Sequence, residues 1–193
     1  MRTLTAEGSL LELAAFVAEH ADLPLDEFRR LHPHPVLLLE TRTGVPLPET
    51  GVQTARTQPP PPLVLPPLEP IAPVADRVAW IAKDSETPYS GLITVGRART
   101  NDVVLRFETV SKFHAWFRLD PRSGRYRITD AGSTNGTLVN RLPLEEGETV
   151  ELRDGDVVDF GGVLPLSYFT PDGFHRCLPV LRRRLHAGVS KSH

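Results

Sequence analysis

From Val78 onward the chain breaks into short runs rich in β-branched and aromatic residues, each closed within a few positions by turn residues. The runs are Val78 to Ala82, Leu92 to Val95, Val103 to Leu105, Ala115 to Leu119, Arg125 to Thr129, Thr137 to Val139, Thr149 to Leu152, Val157 to Phe160 and Leu164 to Phe169. Pro121-Arg122-Ser123-Gly124, Glu146-Gly147 and Asp154-Gly155-Asp156 supply turns. None of these runs is long enough for a helix with a continuous apolar stripe, whereas many short strands with regular punctuation specify an antiparallel β-sandwich. Arg125-Tyr126-Arg127-Ile128-Thr129 alternates polar and apolar as a half-buried strand does. Trp80, Trp116 and Phe160 read as core. The fold class is therefore mainly β, with the sandwich over 76–170.

Chemistry collects at the ends of these runs. Gly96-Arg97, Asn101-Asp102-Val103-Val104-Leu105, Val110-Ser111-Lys112-Phe113-His114-Ala115, Ser133-Thr134-Asn135-Gly136-Thr137 and Leu152-Arg153-Asp154-Gly155-Asp156 follow one another in order. Run ends become loops in a β-sheet protein, and loops on one edge converge on one ligand. A guanidinium, two hydroxyls and an amide suit a phosphate bound beside a peptide. Taken singly, each has a plainer use. Arg97 could pair with a surface acid, Ser111 could cap a turn, and Asn135-Gly136 is a common hairpin turn. Ser111 and His114 lack the nucleophile elbow and orienting acid of a hydrolase, so no catalytic residue is assigned and an enzyme is not expected.

In this order and spacing the five motifs resemble the forkhead-associated (FHA) domain of bacterial-type proteins, over roughly 76–170. The resemblance implies an FHA-like sandwich that reads phosphothreonine peptides. It implies that Arg97, Ser111, Lys112 and Thr134 hold the phosphate or shape its pocket. Asn135 would hold the peptide main chain, and Gly96, His114 and Gly136 would support the site, with His114 bracing the Ser111 loop. Two positions depart from the family pattern. Asn140-Arg141 stands where many members have a second Asn-Gly turn, near where peptide side chains are often read. Thr109, two residues before Ser111, is uncharged, which puts strong selection for an acidic peptide residue in doubt.

Composition sets the outer limits. At 193 residues the chain can hold one core of about 100 to 150 residues with additions. The charged fraction is 24% and the net charge -2, so neither nucleic acid nor a membrane surface is an expected partner. Cys177 is the only cysteine, so no internal disulfide forms. No window approaches the roughly 20 apolar residues of a membrane span. Leu10 to Ala18 is interrupted by Glu12 and lacks a basic leader, so no signal peptide is expected and the location is read as cytoplasmic. The histidines show no metal-ligand spacing, and neither metal nor cofactor is expected.

The rest of the chain divides into three. Residues 1–45 read as a small helical segment. Ser9 and Glu12 form a capping box for a helix over 9–20 with Leu10, Leu13, Phe16 and Val17 on one face. Pro24 opens a second helix, with Asp26 and Glu27 in its first turn and Phe28 and Leu31 toward the first. His32-Pro33-His34-Pro35 ends it as a Pro-locked turn, and Val36 to Leu39 is an apolar run readable as a strand. So small a piece must pack on the sandwich, on a copy of itself or on a partner. Residues 46–75 form a Pro-rich linker, read as a stiff spacer at about 3.1 Å per residue. Residues 171–193 form an amphipathic helix and tail with Phe174, Leu178, Leu181 and Leu185 on one face and Arg182-Arg183-Arg184 near its end, a stabilising place for cations.

The function expected is an adaptor or scaffold that binds a phosphothreonine-containing protein or peptide written by an upstream Ser/Thr kinase. A phosphate-independent structural or assembly protein using the same fold is the alternative. Thr50, Thr54 and Thr57 precede the proline run in a polar segment and are candidate kinase targets that could loop back into the chain's own site.

Overall fold

A computed structural model describes residues 11–39, 77–83, 89–162 and 164–189. The elements are β1 (Leu11–Glu12), α1 (Leu13–His20), α2 (Leu25–Leu31), β2 (Val36–Leu39), β3 (Arg77–Trp80), β4 (Ile93–Gly96), β5 (Val103–Val104) and β6 (Ala115–Leu119). They continue with β7 (Tyr126–Asp130), β8 (Thr137–Val139), β9 (Leu142–Pro143), β10 (Thr149–Glu151), β11 (Val157–Phe160), β12 (Pro165–Phe169) and α3 (Pro171–Val189). Two sheets face each other, ordered β1-β3-β2-β12-β11-β8-β9 and β10-β7-β6-β4-β5. All nine runs proposed from the sequence contain strands.

The space between the sheets is filled by alternate residues of each strand. Leu37, Leu39, Ala79, Ile81, Leu166 and Tyr168 meet Ile93, Val95, Ala115, Phe117 and Ile128 there. The intervening residues Val36, Leu38, Val78 and Phe169 point to the opposite side of the larger sheet, into a second core with Leu13, Phe16, Val17, Phe28, Phe174, Leu178 and Leu181 of the three helices. β2 is buried at every position, which is why Val36-Leu37-Leu38-Leu39 reads as an unbroken apolar run.

Residues 11–39 thus lie against the sandwich, and their strand β2 sits inside its larger sheet, between β3 and β12. The helix expected over 9–20 begins at Leu13, because Leu11 and Glu12 pair with Val78 and Arg77. Glu12 occupies the N-cap in extended conformation with no side-chain cap bond, and Ser9 lies outside the described residues. Phe28 is buried while Leu31 is 52% exposed, so only the first of this pair faces the helix cap. His32 lies flat on Trp80, with ring centroids 4.7 Å apart, and touches Phe16, His20 and Phe28. Burial and the neighbouring His20 push its imidazole down to about 4. Trp116, expected in the core, lies only half-buried beside the inward Ala115 and Phe117, because its position alternates to the outer face of the smaller sheet.

α3 packs on α1 and α2 through Phe174, Leu178 and Leu181. Ion pairs join it to other segments: Asp172 with Arg29 of α2 at 2.6 Å, Arg176 with Asp154 at 2.9 Å and Arg182 with Asp22 at 2.6 Å. Such exposed pairs contribute about 0–1 kcal/mol each, so the apolar face carries the attachment. Asp154 also accepts from the Thr170 amide at 2.6 Å, at the start of the helix.

The register places the ends of the segment 40–76. Leu39 pairs with Arg77, so the chain leaves and re-enters the sheet at adjacent positions. The proline-rich stretch therefore does not separate two modules tens of ångströms apart; its own residues lie outside those described. β2 runs antiparallel to β12, with Phe169 opposite Val36 and Ser167 opposite Leu38. Leu39 thus lies toward the Pro165 end of β12, the end that pairs toward Phe160 and Thr137.

β8 and β9 are joined by the two-residue turn Asn140-Arg141, with φ of 52° and 69°. Both are left-handed, as a type I′ hairpin requires. Asn140 is held by its side chain, which donates to Asp156 and accepts from the Val157 amide, each at 2.9 Å. Arg141 has no such compensation and bears the Cβ strain. Arg141→Gly is expected to raise stability by roughly 0.5–1 kcal/mol in urea denaturation. A loss of stability would show that the Arg141 side chain carries a contact worth more than the backbone strain.

Candidate functional site

β4 ends at Gly96, and its connection to the parallel strand β5 must turn sharply over 97–102. Asn101 makes that turn possible. Its buried side chain donates to the carbonyls of Ala98 at 2.8 Å and Lys112 at 2.7 Å. Asp102 accepts from the Thr94 amide at 2.6 Å and the Thr94 hydroxyl at 2.9 Å. The adjoining loop is stitched to this one by backbone bonds, Arg97 N to Ser111 O at 2.9 Å and Ala98 N to Lys112 O at 3.1 Å. A side chain on Gly96 would collide with the Lys112 carbonyl, so only glycine lets the two loops approach this closely.

Ser111 lies between two braces. Its amide donates to His114 Nδ1 at 2.9 Å, and His114 Nε2, 3.1 Å from the Gly136 carbonyl, donates there in the neutral ring. His114 is fully buried and meets the Phe160 ring edge-on at 5.6 Å. One imidazole thus joins the loop before β6 to the loop before β8. Burial outweighs the Gly136 bond and the carboxylates Asp130 and Asp159, holding the ring below its ordinary value and neutral. The Ser111 hydroxyl accepts from the Thr134 amide at 3.0 Å and lies 3.3 Å from the Thr134 hydroxyl.

The second loop is shaped by Asp130. Its carboxylate accepts from the amides of Gly132 and Ser133, each at 2.9 Å, and from the hydroxyls of Ser133 at 2.7 Å and Thr137 at 2.6 Å. Burial alone would raise this carboxyl, but the four donors outweigh burial and hold it below the usual range. Gly136, with φ of 77°, turns the chain into β8. Asn135 reaches the neighbouring loop and donates from Nδ2 to the Thr109 carbonyl at 2.9 Å.

Arg97, Ser111, Lys112, Thr134 and Asn135 therefore stand on one rim of the sandwich, with Gly96, His114 and Gly136 beneath them. Thr134 and Asn135 are exposed and Ser111 is partly exposed. Arg97 and Lys112 are exposed and form no ion pair among the described residues, so two cations stand on the same loops as these hydroxyl and amide groups. Asn140-Arg141 lies at the other end of β8 from Gly136, about 10 Å along the strand, and so does not adjoin this rim. Asn101, Asp102, Asp130 and Ser133 were not singled out as site residues in the sequence. Asx residues at the ends of strand-like runs were the available signal, since such side chains bind nearby backbone amides. Among the described residues no cluster of His, Cys, Asp or Glu could hold a metal ion.

Replacing His114 by Ala leaves the Ser111 amide without its acceptor and is expected to cost about 1–3 kcal/mol. It should also flatten the acid side of the stability profile. With the native ring held below its ordinary value, an unfolded chain takes up a proton near pH 6.5 that the native state refuses. The contribution is thus fully present above about pH 6.5 and is lost as pH falls toward the native value. Urea denaturation between about pH 7.5 and 5 should show a shallower slope in His114→Ala, His32 supplying the remainder. Equal slopes would contradict a neutral, bridging His114.

The family model for the FHA domain matches residues 93–161. The glycogen accumulation regulator GarA of Mycolicibacterium smegmatis is 41% identical over 68 residues, 35% of this chain and 40% of that protein. The oxoglutarate dehydrogenase inhibitor of Corynebacterium efficiens is 40% identical over 68 residues, 35% of this chain and 44% of that one. This chain thus spans less than half the length of these relatives. Among solved structures, the FhaA FHA domain complexed with the intracellular domain of Rv3910 is 30% identical, with 42% of this chain covering 82% of that one at a TM-score of 0.36. The N-terminal FHA domain of Saccharomyces cerevisiae Rad53p, solved with a phosphothreonine peptide, is 26% identical, with 52% covering 89% at a TM-score of 0.41. Residues 93–161, with the loops that carry Arg97, Ser111, Thr134 and Asn135, are an FHA domain.

Proposed function

We propose that this protein is a non-catalytic phosphothreonine-peptide reader that links a Ser/Thr kinase's product to a partner in the cytoplasm. The observation that carries this is that the loops of Arg97 and Lys112, cations without an ion pair among the described residues, are bonded to each other and to the Ser111–Thr134 hydroxyl pair on one braced rim. A phosphate dianion there takes two charge-assisted contacts from the cations. The Ser111 hydroxyl already accepts from the Thr134 amide, so its proton is free to turn from Thr134 to a phosphate oxygen without loss of that bond. Asn135 uses one N–H on Thr109, which leaves its second N–H and its oxygen for a peptide backbone. The loops are held by His114 and Asp130 before ligand arrives, so little ordering remains to oppose binding. FHA domains generally act as such adaptors, and the rim contains no nucleophile with an orienting base.

The test is titration of the full chain with phosphothreonine peptides, against unphosphorylated and phosphoserine controls. Binding is expected only with phosphothreonine. Arg97→Ala is expected to weaken it about ten- to a hundredfold, the loss of one charged hydrogen-bonding partner. Phosphate-independent binding that survives Arg97→Ala would instead favour a structural or assembly role.

A second reading has one specific support. Both ends of the segment 40–76 emerge beside the rim that carries the site. Thr50 is 11 residues beyond Leu39, a reach of up to about 35 Å. The three strand spacings from β2 to β8 amount to only about 15 Å. A phosphate on Thr50, Thr54 or Thr57 would therefore compete with external peptide at high effective concentration. Kinase treatment of the chain should weaken external-peptide affinity, and the Thr50→Ala/Thr54→Ala/Thr57→Ala variant should not respond. Equal affinity before and after phosphorylation at these residues would remove this reading.

A further inference from the structure

The two sheets treat their outer faces differently. Three helices cover the larger sheet, whereas among the described residues no helix packs on the outer face of β10-β7-β6-β4. Trp116 stands on that face in line with Thr94, Thr129 and Thr149, and Arg118 pairs across the next row with Arg127 and Glu151. Thr94 and Thr129 are buried beside it, and the Thr129 and Thr149 hydroxyls bond at 2.8 Å, which makes a firm floor. Trp116, Arg118, Asp120, Pro121, Arg122, Arg127 and Thr149 enclose a concavity of about 460 Å³. That lies within the ordinary range of binding sites, about 300–1,000 Å³.

Its charge is unbalanced. Arg127 Nη2 lies 2.8 Å from Asp120 and 3.9 Å from Glu151, and Arg125 holds Glu151 at 2.6 Å. The local acids are thereby occupied. Arg118 and Arg122, both exposed, form no ion pair among the described residues, and the buried Arg127 Nε has no hydrogen-bond partner. A chain of net charge -2 thus gathers three arginines around one tryptophan. Tryptophan and arginine are the residues that dominate binding energy at protein interfaces, and arginine forks match carboxylates.

We propose that this face is a second binding site, separate from the rim, for a short acidic peptide segment of another protein. An apolar residue of the segment covers Trp116, and flanking carboxylates engage Arg118 and Arg122. The occupant is acidic because the unpaired charge is cationic. It is a peptide because tryptophan and arginine together are the side chains that anchor protein partners.

The probe is a fluorescein-labelled peptide of Asp and Glu around a central Phe, with the Asn/Gln counterpart as control, followed by anisotropy with the full chain. The acidic probe is expected to bind and the counterpart to bind at least tenfold more weakly. Arg118→Glu with Arg122→Glu should weaken the acidic probe at least tenfold, and raising salt from about 0.05 to about 0.3 M should weaken it severalfold. Trp116→Ala should weaken it independently of salt. Phosphothreonine-peptide affinity should stay within twofold in the arginine variant, which also reports an intact fold. Equal binding of the two probes, unchanged binding in the arginine variant, or no binding at millimolar probe would each overturn the proposal.

Discussion

A strand with no solvent face holds this molecule together. β2 supplies Leu37 and Leu39 to the space between the sheets and Val36 and Leu38 to the space under the helices. Fully burying four aliphatic side chains is worth about 1.5–3 kcal/mol each before chain entropy is subtracted, and these burials couple two cores that would otherwise be independent. The helices α1, α2 and α3 therefore do not form a detachable module. Their apolar faces are complete only against Val36, Leu38, Val78 and Phe169 of the sheet.

The rim that carries the candidate site obeys a different rule. It is built from polar side chains that satisfy backbone groups where no strand partner is available. Asn101 fills the turn after β4, Asp130 gathers the turn before β8, and His114 joins the two loops. Each is buried and each is saturated or nearly so. That spends little exposed polarity on scaffolding, so Arg97, Lys112 and the Ser111 and Thr134 hydroxyls remain available at the surface. Rigidity below and availability above are what a site needs to recognise a charged group without reorganising.

The sandwich was legible because period-two burial leaves its mark on short runs, and because Gly and Asp-Gly turns punctuate them. The rim was legible because its motifs keep a fixed order along the chain. What escaped was set by long-range pairing. Nothing local in Val36 to Leu39 states that its neighbours are β3 and β12, and nothing in Ser9 and Glu12 states that Leu11 will pair with Val78 and delay the helix. Trp116 was misplaced for a related reason. Its run, Ala115 to Leu119, gives the alternation but not which face will be covered. The roles of Asn101 and Asp130 were hidden because a buried Asx in a loop looks like any turn residue until its partners are placed.

The register of Leu39 opposite Arg77 has an evolutionary consequence. A segment whose two ends are pinned side by side is a closed loop, and the entropy of closing a loop grows only logarithmically with its length. Doubling it costs about 0.6 kcal/mol. Sequence between residues 40 and 76 can therefore be lengthened, shortened or rewritten while the two cores stay as they are. Changes confined there do not place the fold under selection.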